Sequence, residues 1–213
     1  MSVMGADAGA GVNAVVFDYG KVICHPFTDE TMDRLAALAG VPRGEFEPLV
    51  WKLRSPYDRG RITGPEYYLR VLAAAGLPED AALAQTLHRL DTDGWTRINT
   101  ETVRLMEDIK AAGFKLGILS NMPQDFLDMA RKTYPVFSLP HVGIFSCEVA
   151  SVKPEPAIYQ ALTAALDCAP GEILFFDDME VNVEAAVAAG IRSFLWQDAG
   201  AARNLLRRFQ VPV

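Results

Sequence analysis

The sequence predicts an α/β protein: a parallel sheet flanked by helices, interrupted after its first strand by an all-helical subdomain. Three observations predict it. Over the second half of the chain, short apolar runs alternate with amphipathic stretches, which is the pattern of βαβ units. The runs are nearly continuous in apolar residues, as strands covered on both faces must be. Residues 27–97, by contrast, contain no convincing strand.

The first strand is expected at 14–18 (AVVFD), where four apolar residues end on an acid. Helical periodicity follows near 28–39, 43–53, 64–75 and 79–90. Thr63-Gly-Pro-Glu66 opens the third of these as a capping box, with the acid placed to reach back to the cap's own N–H. Strands are then expected at 115–119 (KLGIL), 142–145 (VGIF), 172–176 (EILFF) and 192–196 (RSFLW). Helices are expected at 100–112, 123–133, 155–166 and 181–189, with Gly113 and Gly190 standing where two of them should stop. This divides the chain into a core at 13–26 plus 98–213, a helical insert at 27–97, and a small-residue-rich, flexible tail at 1–12.

Composition narrows the function. The 213 residues suffice to bury a full core without staples. Half are hydrophobic and 22% are charged, the balance of a soluble globular protein. A net charge of −7 with scattered Lys and Arg argues against nucleic acid and anionic lipid as partners. No apolar run approaches the length of a membrane span, and the N-terminus lacks the basic and apolar regions of a signal peptide. Three cysteines, Cys24, Cys147 and Cys168, are an odd and widely spaced set that suits a reducing compartment, so the expected location is the cytoplasm. Monomer and homodimer both remain open.

In a parallel α/β sheet the C-terminal strand ends share one edge, and ligands bind there. Four strand ends lead into polar residues. Asp18 follows AVVF, and Ser120-Asn121 closes the second strand just before a helix. A hydroxyl and free N–H groups at a helix N-terminus hold an anion. Lys153 precedes Pro154, which fixes the chain ahead of a helix. Asp177 and Asp178 stand side by side after ILFF, with Asn182 further on. Their mutual repulsion is relieved by a hard cation such as Mg²⁺. Taken singly, each reads equally as a cap, a turn or a solvated charge. Together they supply a carboxylate nucleophile, an anion cradle, a fixed cation and a metal-binding acid pair, which is what phosphoryl transfer requires.

On VVFDYGKVI, ILSN, VKPEPAIY and FFDDMEVN the chain resembles the haloacid dehalogenase-like superfamily, from residue 13 onward and including the insert. The resemblance is nearest to bacterial sugar-phosphate phosphatases related to α-glucose-1-phosphate phosphatase. It implies a Rossmann-like core with a helical cap, Mg²⁺ as cofactor and a small phosphate ester, such as a sugar phosphate, as substrate. It implies that Asp18 attacks phosphorus to form an aspartyl-phosphate, that Ser120 and the backbone near Asn121 hold the phosphoryl oxygens, and that Lys153 neutralises charge and keeps Asp18 ionised. It also implies that Asp18, the Gly20 carbonyl and Asp178 ligate the metal, with Asp177 beside or behind Asp178 and Asn182 in support.

Gly20 departs from the family pattern. Most phosphatases of the superfamily carry an Asp there that protonates the leaving oxygen, and glycine has no proton to give. General acid–base catalysis is worth about 10²–10⁴-fold, so a good leaving group or a substitute donor is implied. Lys21, His25, Tyr57, Arg59 and His88 are the candidates by sequence. Two other readings stand beside the phosphatase. A catalytically weak or inactive binder of a phosphorylated ligand is motivated by the missing acid. A 2-haloacid dehalogenase is disfavoured because those usually place a Tyr two residues after the nucleophile, whereas Tyr19 follows Asp18 directly.

Overall fold

The computed structural model describes residues 11–213. The expected N-terminal tail therefore lies outside the described residues, apart from Gly11 and Val12.

Five parallel strands form one sheet: β1 (Ala14–Phe17), β2 (Lys115–Ser120), β3 (Val142–Phe145), β4 (Ile173–Asp177) and β5 (Arg192–Leu195). Their order is β3-β2-β1-β4-β5, so the chain moves outward one way from β1 and then returns to build the other side. β1 is central and fully buried. Its alternation assigns Val15 and Phe17 to one face and Ala14 and Val16 to the other. The first face is covered by α6 (Thr100–Ala111), α7 (Gln124–Thr133) and α11 (Ala199–Arg208), through Leu105, Met106, Ile109, Phe126, Leu127 and Leu206. The second is covered by α9 (Pro156–Leu166) and α10 (Glu180–Ala188), through Ile158, Tyr159, Leu162 and Ala186. Each fully buried large apolar side chain contributes roughly 1.5–3 kcal/mol, and β1 shares this two-sided coverage with its neighbour β4.

The insert runs from the end of β1 to α6 and is all-helical: α1 (Asp29–Ala39), α2 (Arg43–Lys52), α3 (Ser55–Asp58), α4 (Gly64–Ala74) and α5 (Ala81–Gly94). It has its own core around Met32, Leu35, Phe46, Tyr67, Tyr68, Leu72 and Leu87. Thr28 caps α1 by accepting the Thr31 N–H, and Gly40 ends it with φ +68°. The Thr63–Glu66 capping box is formed in both directions. The two connections to the sheet domain lie side by side. Cys24 and Ile98 form an antiparallel bridge, His25 N–H donates to the Arg97 carbonyl at 2.8 Å, and Asn99 N–H donates to Ile23 at 2.8 Å.

Every expected strand but β3 shifts by a residue at one end or both, β2 running on through Ser120, and the helix expected at 79–90 becomes α5. β1 stops at Phe17, which leaves Asp18 in the following turn, whereas β4 extends through Asp177 and β5 ends at Leu195. The expected elements do not include α3, the short α8 (Ser146–Val149) or α11. The first two are single turns, too short for a period to register. α11 carries ordinary signals, with Asp198 as cap and Arg207 and Arg208 in its last turn, which lie beyond the last expected strand. All three cysteines are free thiols, and burial pushes Cys24 up to about 12. Among the described residues no helix is long and apolar enough to cross a membrane.

One turn in the insert depends on glycine. Gly60 adopts φ +68°, and a Cβ there would lie 3.1 Å from Cys147 Cβ and 3.3 Å from its carbonyl oxygen. Gly60→Ala is expected to cost about 1–2 kcal/mol from the backbone alone, read as a lower urea midpoint at unchanged m-value.

Candidate active site

The C-terminal ends of β1, β2 and β4 and the loop after β3 meet at one edge of the sheet, where the strand order reverses about β1. Above that edge is a cavity of about 570 Å³, walled on the other side by the insert. Asp18, Gly20, Ser120, Asn121, Lys153, Asp178 and Asn182 all line it. Asp177 lies beneath them, completely buried.

Lys153 is the centre of the cluster. Its ammonium is 2.8 Å from Asp18 Oδ1 and 2.5 Å from Asp177 Oδ2, with only 1% of the side chain exposed. The main chain that carries it is gripped by Asn121, whose Oδ1 accepts Lys153 N–H at 2.7 Å and whose Nδ2 donates to Lys153 C=O at 3.0 Å. The Asn121 side chain is thus committed to the lysine loop, and its main-chain N–H is the part available to an anion. The Ser120 hydroxyl lies in the cavity wall with no protein partner among the described residues.

The two neighbouring acids differ in role. Asp177 has both oxygens engaged: Oδ1 accepts from Met179 N–H and Asn182 Nδ2, each at 2.9 Å, and Oδ2 takes Lys153. Asn182 is fixed in turn by its carbonyl, which accepts from Tyr159. Asp178 faces the cavity, and among the described residues its partner is the Lys21 ammonium, 2.9 Å from Oδ2. Lys21 reaches it from a left-handed backbone position at φ +58° and is half exposed. Asp18, Asp177 and Asp178 bring carboxylate oxygens within 4.8 Å of one another, an all-oxygen donor set suited to a hard divalent cation.

The charge balance departs from the sequence expectation that Lys153 keeps Asp18 ionised. Burial raises the Asp18 carboxyl to about 7, against the pull of Lys153 and with Asp177 and Asp178 adding to the rise. Burial works against the charge on Lys153 itself, but Asp18 and Asp177 outweigh it and hold its pKa above the ordinary value.

Of the substitute donors expected from sequence, Lys21 and Tyr57 line the cavity, while His25, Arg59 and His88 do not. Arg59 is turned to Glu155 and the Ala150 carbonyl. His88 lies behind Tyr57, whose hydroxyl donates to Asp125 at 2.8 Å. The insert's contribution to the cavity was not legible in sequence. It includes Phe27, Trp51, Arg54, Asp58, Asp91 and Trp95. The i,i+4 spacing of Arg54 and Asp58 is the one local signal that pointed to part of it. Trp95 covers Gly20: a Cβ at that glycine would lie 3.4 Å from the indole ring. That is ordinary van der Waals contact, and φ −62° is open to any residue, so neither the indole nor the backbone demands glycine at this position.

Residues 12–190 match the haloacid dehalogenase-like hydrolase family, and the chain belongs to it. Among curated proteins it is 27% identical over 199 residues to Phosphatase MT3486 of Mycobacterium tuberculosis, covering 91% of each chain. Among solved structures, the fold matches the HAD family enzyme bt-2542 of Bacteroides thetaiotaomicron with a TM-score of 0.75 at 19% identity, covering 93% of this chain and 100% of that one. That enzyme has also been solved in complex with magnesium and inorganic phosphate. The L-2-haloacid dehalogenase RSc1362 matches with a TM-score of 0.72 at 20% identity, over 94% and 100% of the two chains. At these identities the structural matches establish the shared fold alone.

The charge balance has a measurable consequence. A carboxyl raised from 3.8 to about 7 binds its proton more tightly in the folded state. Its stabilising contribution is complete below the unfolded value and is lost as pH rises through about 7. In metal-free protein, wild type is expected to lose urea stability between pH 5 and 7.5 relative to Asp18→Asn, which lacks this titration.

Proposed function

We propose that this hydrolase is a magnesium-dependent phosphatase of a small phosphorylated metabolite, working through an aspartyl-phosphate at Asp18. The observation that carries the reading is the buried Lys153 bridge: it fixes a cation between Asp18 and Asp177 at the floor of a cavity that also presents Ser120 and Asp178. The relatives named phosphatases support it, as does the fold shared with an enzyme that binds magnesium and phosphate.

In this reading Asp18 and Asp178, with the Gly20 carbonyl, hold Mg²⁺, which when bound supplies positive charge against the phosphoryl oxygens. Asp177 is not a direct ligand, because its oxygens are already taken by Lys153, Asn182 and Met179 N–H. It anchors Lys153 instead. Ser120 and the N–H of Asn121 cradle the phosphoryl group, and Lys153 neutralises its charge. Asp18 attacks phosphorus and expels the ester oxygen, and water then releases phosphate from the aspartyl ester. Residues 27–97 act as the cap that encloses the substrate, over a core of 13–26 and 98–213. The acid cluster favours this over dehalogenation, in which the nucleophile attacks carbon without a metal.

Three outcomes are expected. EDTA abolishes hydrolysis of phosphate esters and Mg²⁺ restores it; EDTA-insensitive release of halide from 2-haloacids would instead establish the dehalogenase. Asp18→Asn removes turnover and also trapping by beryllofluoride, while its far-UV circular dichroism is unchanged. Lys21→Met, by freeing Asp178 of a competing ammonium, tightens Mg²⁺ binding severalfold by isothermal titration calorimetry.

A further inference from the structure

An alcohol leaving phosphorus departs as an alkoxide unless the protein gives it a proton. Gly20 gives none, and neither cavity-lining substitute is placed to do so. Lys21 pairs with Asp178, on the side of the site that the phosphatase reading gives to the metal rather than to the leaving group. The Tyr57 hydroxyl is spent on Asp125, and burial pushes its pKa far above the ordinary value.

The insert contributes two further acids to the cavity wall, Asp58 and Asp91. Both grip Arg54, whose guanidinium lies 5.2–6.0 Å from the ring centres of Trp51, Tyr57, Tyr67 and Trp95. Asp91 has both oxygens occupied: Oδ2 accepts from Arg54 Nη1 at 2.8 Å and Oδ1 from Trp95 Nε1 at 3.1 Å. Asp58 has one to spare. Its Oδ1 accepts from Arg54 Nε at 3.2 Å, and its Oδ2 has no protein partner among the described residues.

The backbone also ties Asp58 to the candidate phosphate site. Its carbonyl accepts from Ser146 Oγ at 2.5 Å, and that same oxygen accepts Met122 N–H at 2.8 Å. Met122 follows Ser120-Asn121 directly. One residue back, Tyr57 reaches Asp125 in the first turn of α7. Residues 57–58 are therefore stapled to the segment that leads out of the Ser120–Asn121 cradle. The aromatic ring that covers Gly20, Trp95, is held by the acid that shares Arg54 with Asp58.

We infer that Asp58 is the general acid–base of this enzyme, taking from the cap the role that Gly20 cannot fill; the inference rests on the phosphatase reading above. As Asp18 bonds to phosphorus and the ester P–O bond breaks, the Asp58 carboxylic acid gives its proton to the departing oxygen, and a neutral alcohol leaves. The resulting carboxylate is stabilised by Arg54. It then takes a proton from the water that attacks the aspartyl-phosphate, the bond from Asp18 to phosphorus breaks, and phosphate departs. Ester and water become alcohol and phosphate, with both aspartates restored.

The surroundings suit both halves of the cycle. Burial raises Asp58 to about 6 against the pull of Arg54, and Asp91 on α5 adds to the rise. The other titratable groups around the guanidinium, Tyr57 on α3 and Tyr67 on α4, are neutral phenols whose pKa values burial raises further.

The test compares three esters in Mg²⁺-loaded wild type, Asp58→Asn and Asp58→Glu: 4-nitrophenyl, phenyl and benzyl phosphate. Benzyl phosphate has a leaving group of similar shape but far greater basicity. Asp58→Asn is expected to lose about 10²-fold or more in kcat/KM on benzyl phosphate, an intermediate amount on phenyl phosphate, and only a few-fold on 4-nitrophenyl phosphate. Asp58→Glu should recover part of the benzyl activity. In wild type, kcat/KM on benzyl phosphate, relative to 4-nitrophenyl phosphate, should fall as pH rises through the Asp58 titration, and that relative fall should vanish in Asp58→Asn. An equal loss on all three esters, or none, overturns the assignment while leaving the phosphatase intact. A wild type that hydrolyses no ester and never labels Asp18 overturns the phosphatase reading and this inference with it.

Discussion

The ion bridge of Lys153 between Asp18 and Asp177 is the contact on which the rest of the site depends. Each partner comes from a different part of the sheet edge: the end of β1, the end of β4 and the loop after β3. Removing one partner from a buried network of this kind costs about 3–5 kcal/mol, because the remaining charge is left uncompensated. The bridge therefore fixes the relative height of two strand ends and the loop after β3. Asn121 extends the constraint to β2 by holding the lysine's main chain from both sides. Three strand ends and the loop after β3 are registered to one another by two ion pairs and two hydrogen bonds, and the cavity floor follows from that registration.

The same bridge divides the two adjacent acids. Asp177 is drawn under the floor, where Lys153, Asn182 and Met179 N–H use its lone pairs. Asp178, one residue on, is left facing the cavity with a half-exposed lysine as its partner among the described residues. Neighbouring residues of one type thereby acquire opposite surroundings. The excess of negative charge is what a divalent cation would neutralise, and in the cation's absence it adds to the rise in Asp18 that burial chiefly causes.

The insert does more than pack apolar helices above the cavity. Arg54, sandwiched among Trp51, Tyr57, Tyr67 and Trp95 and paired with Asp58 and Asp91, forms a second buried charge cluster on the cap side. Hydrogen bonds from Tyr57 and Gly64 to Asp125, and from Ser146 to the Asp58 carbonyl, tie it to the sheet domain. Tyr19 adds a further link, donating to the Trp95 carbonyl at 2.8 Å from the residue next to Asp18. The two charge clusters are thus held across one cavity by specific polar contacts.

The sequence by itself determined the α/β class, the helical insert, the positions of Asp18, Ser120 and Asp177 at strand ends, and that of Lys153 ahead of a helix. Each is written in a local signal: an unbroken apolar run, a 3.6-residue period, or a polar residue just past a strand. The family followed from the order of those motifs. The resemblance already put Asp178 on the metal with Asp177 beside or behind it; only the tertiary structure decided where the Asn121 side chain goes and that Trp95 stands over Gly20. It alone brought Asp58 and Arg54 to the cavity and turned Arg59 and His88 away from it. Those outcomes depend on the packing of the insert against the sheet edge, through contacts such as Ser146 to Asp58, 88 residues apart. Sequence periodicity reports which face of an element is apolar, but it carries no information about which polar groups on distant elements will meet.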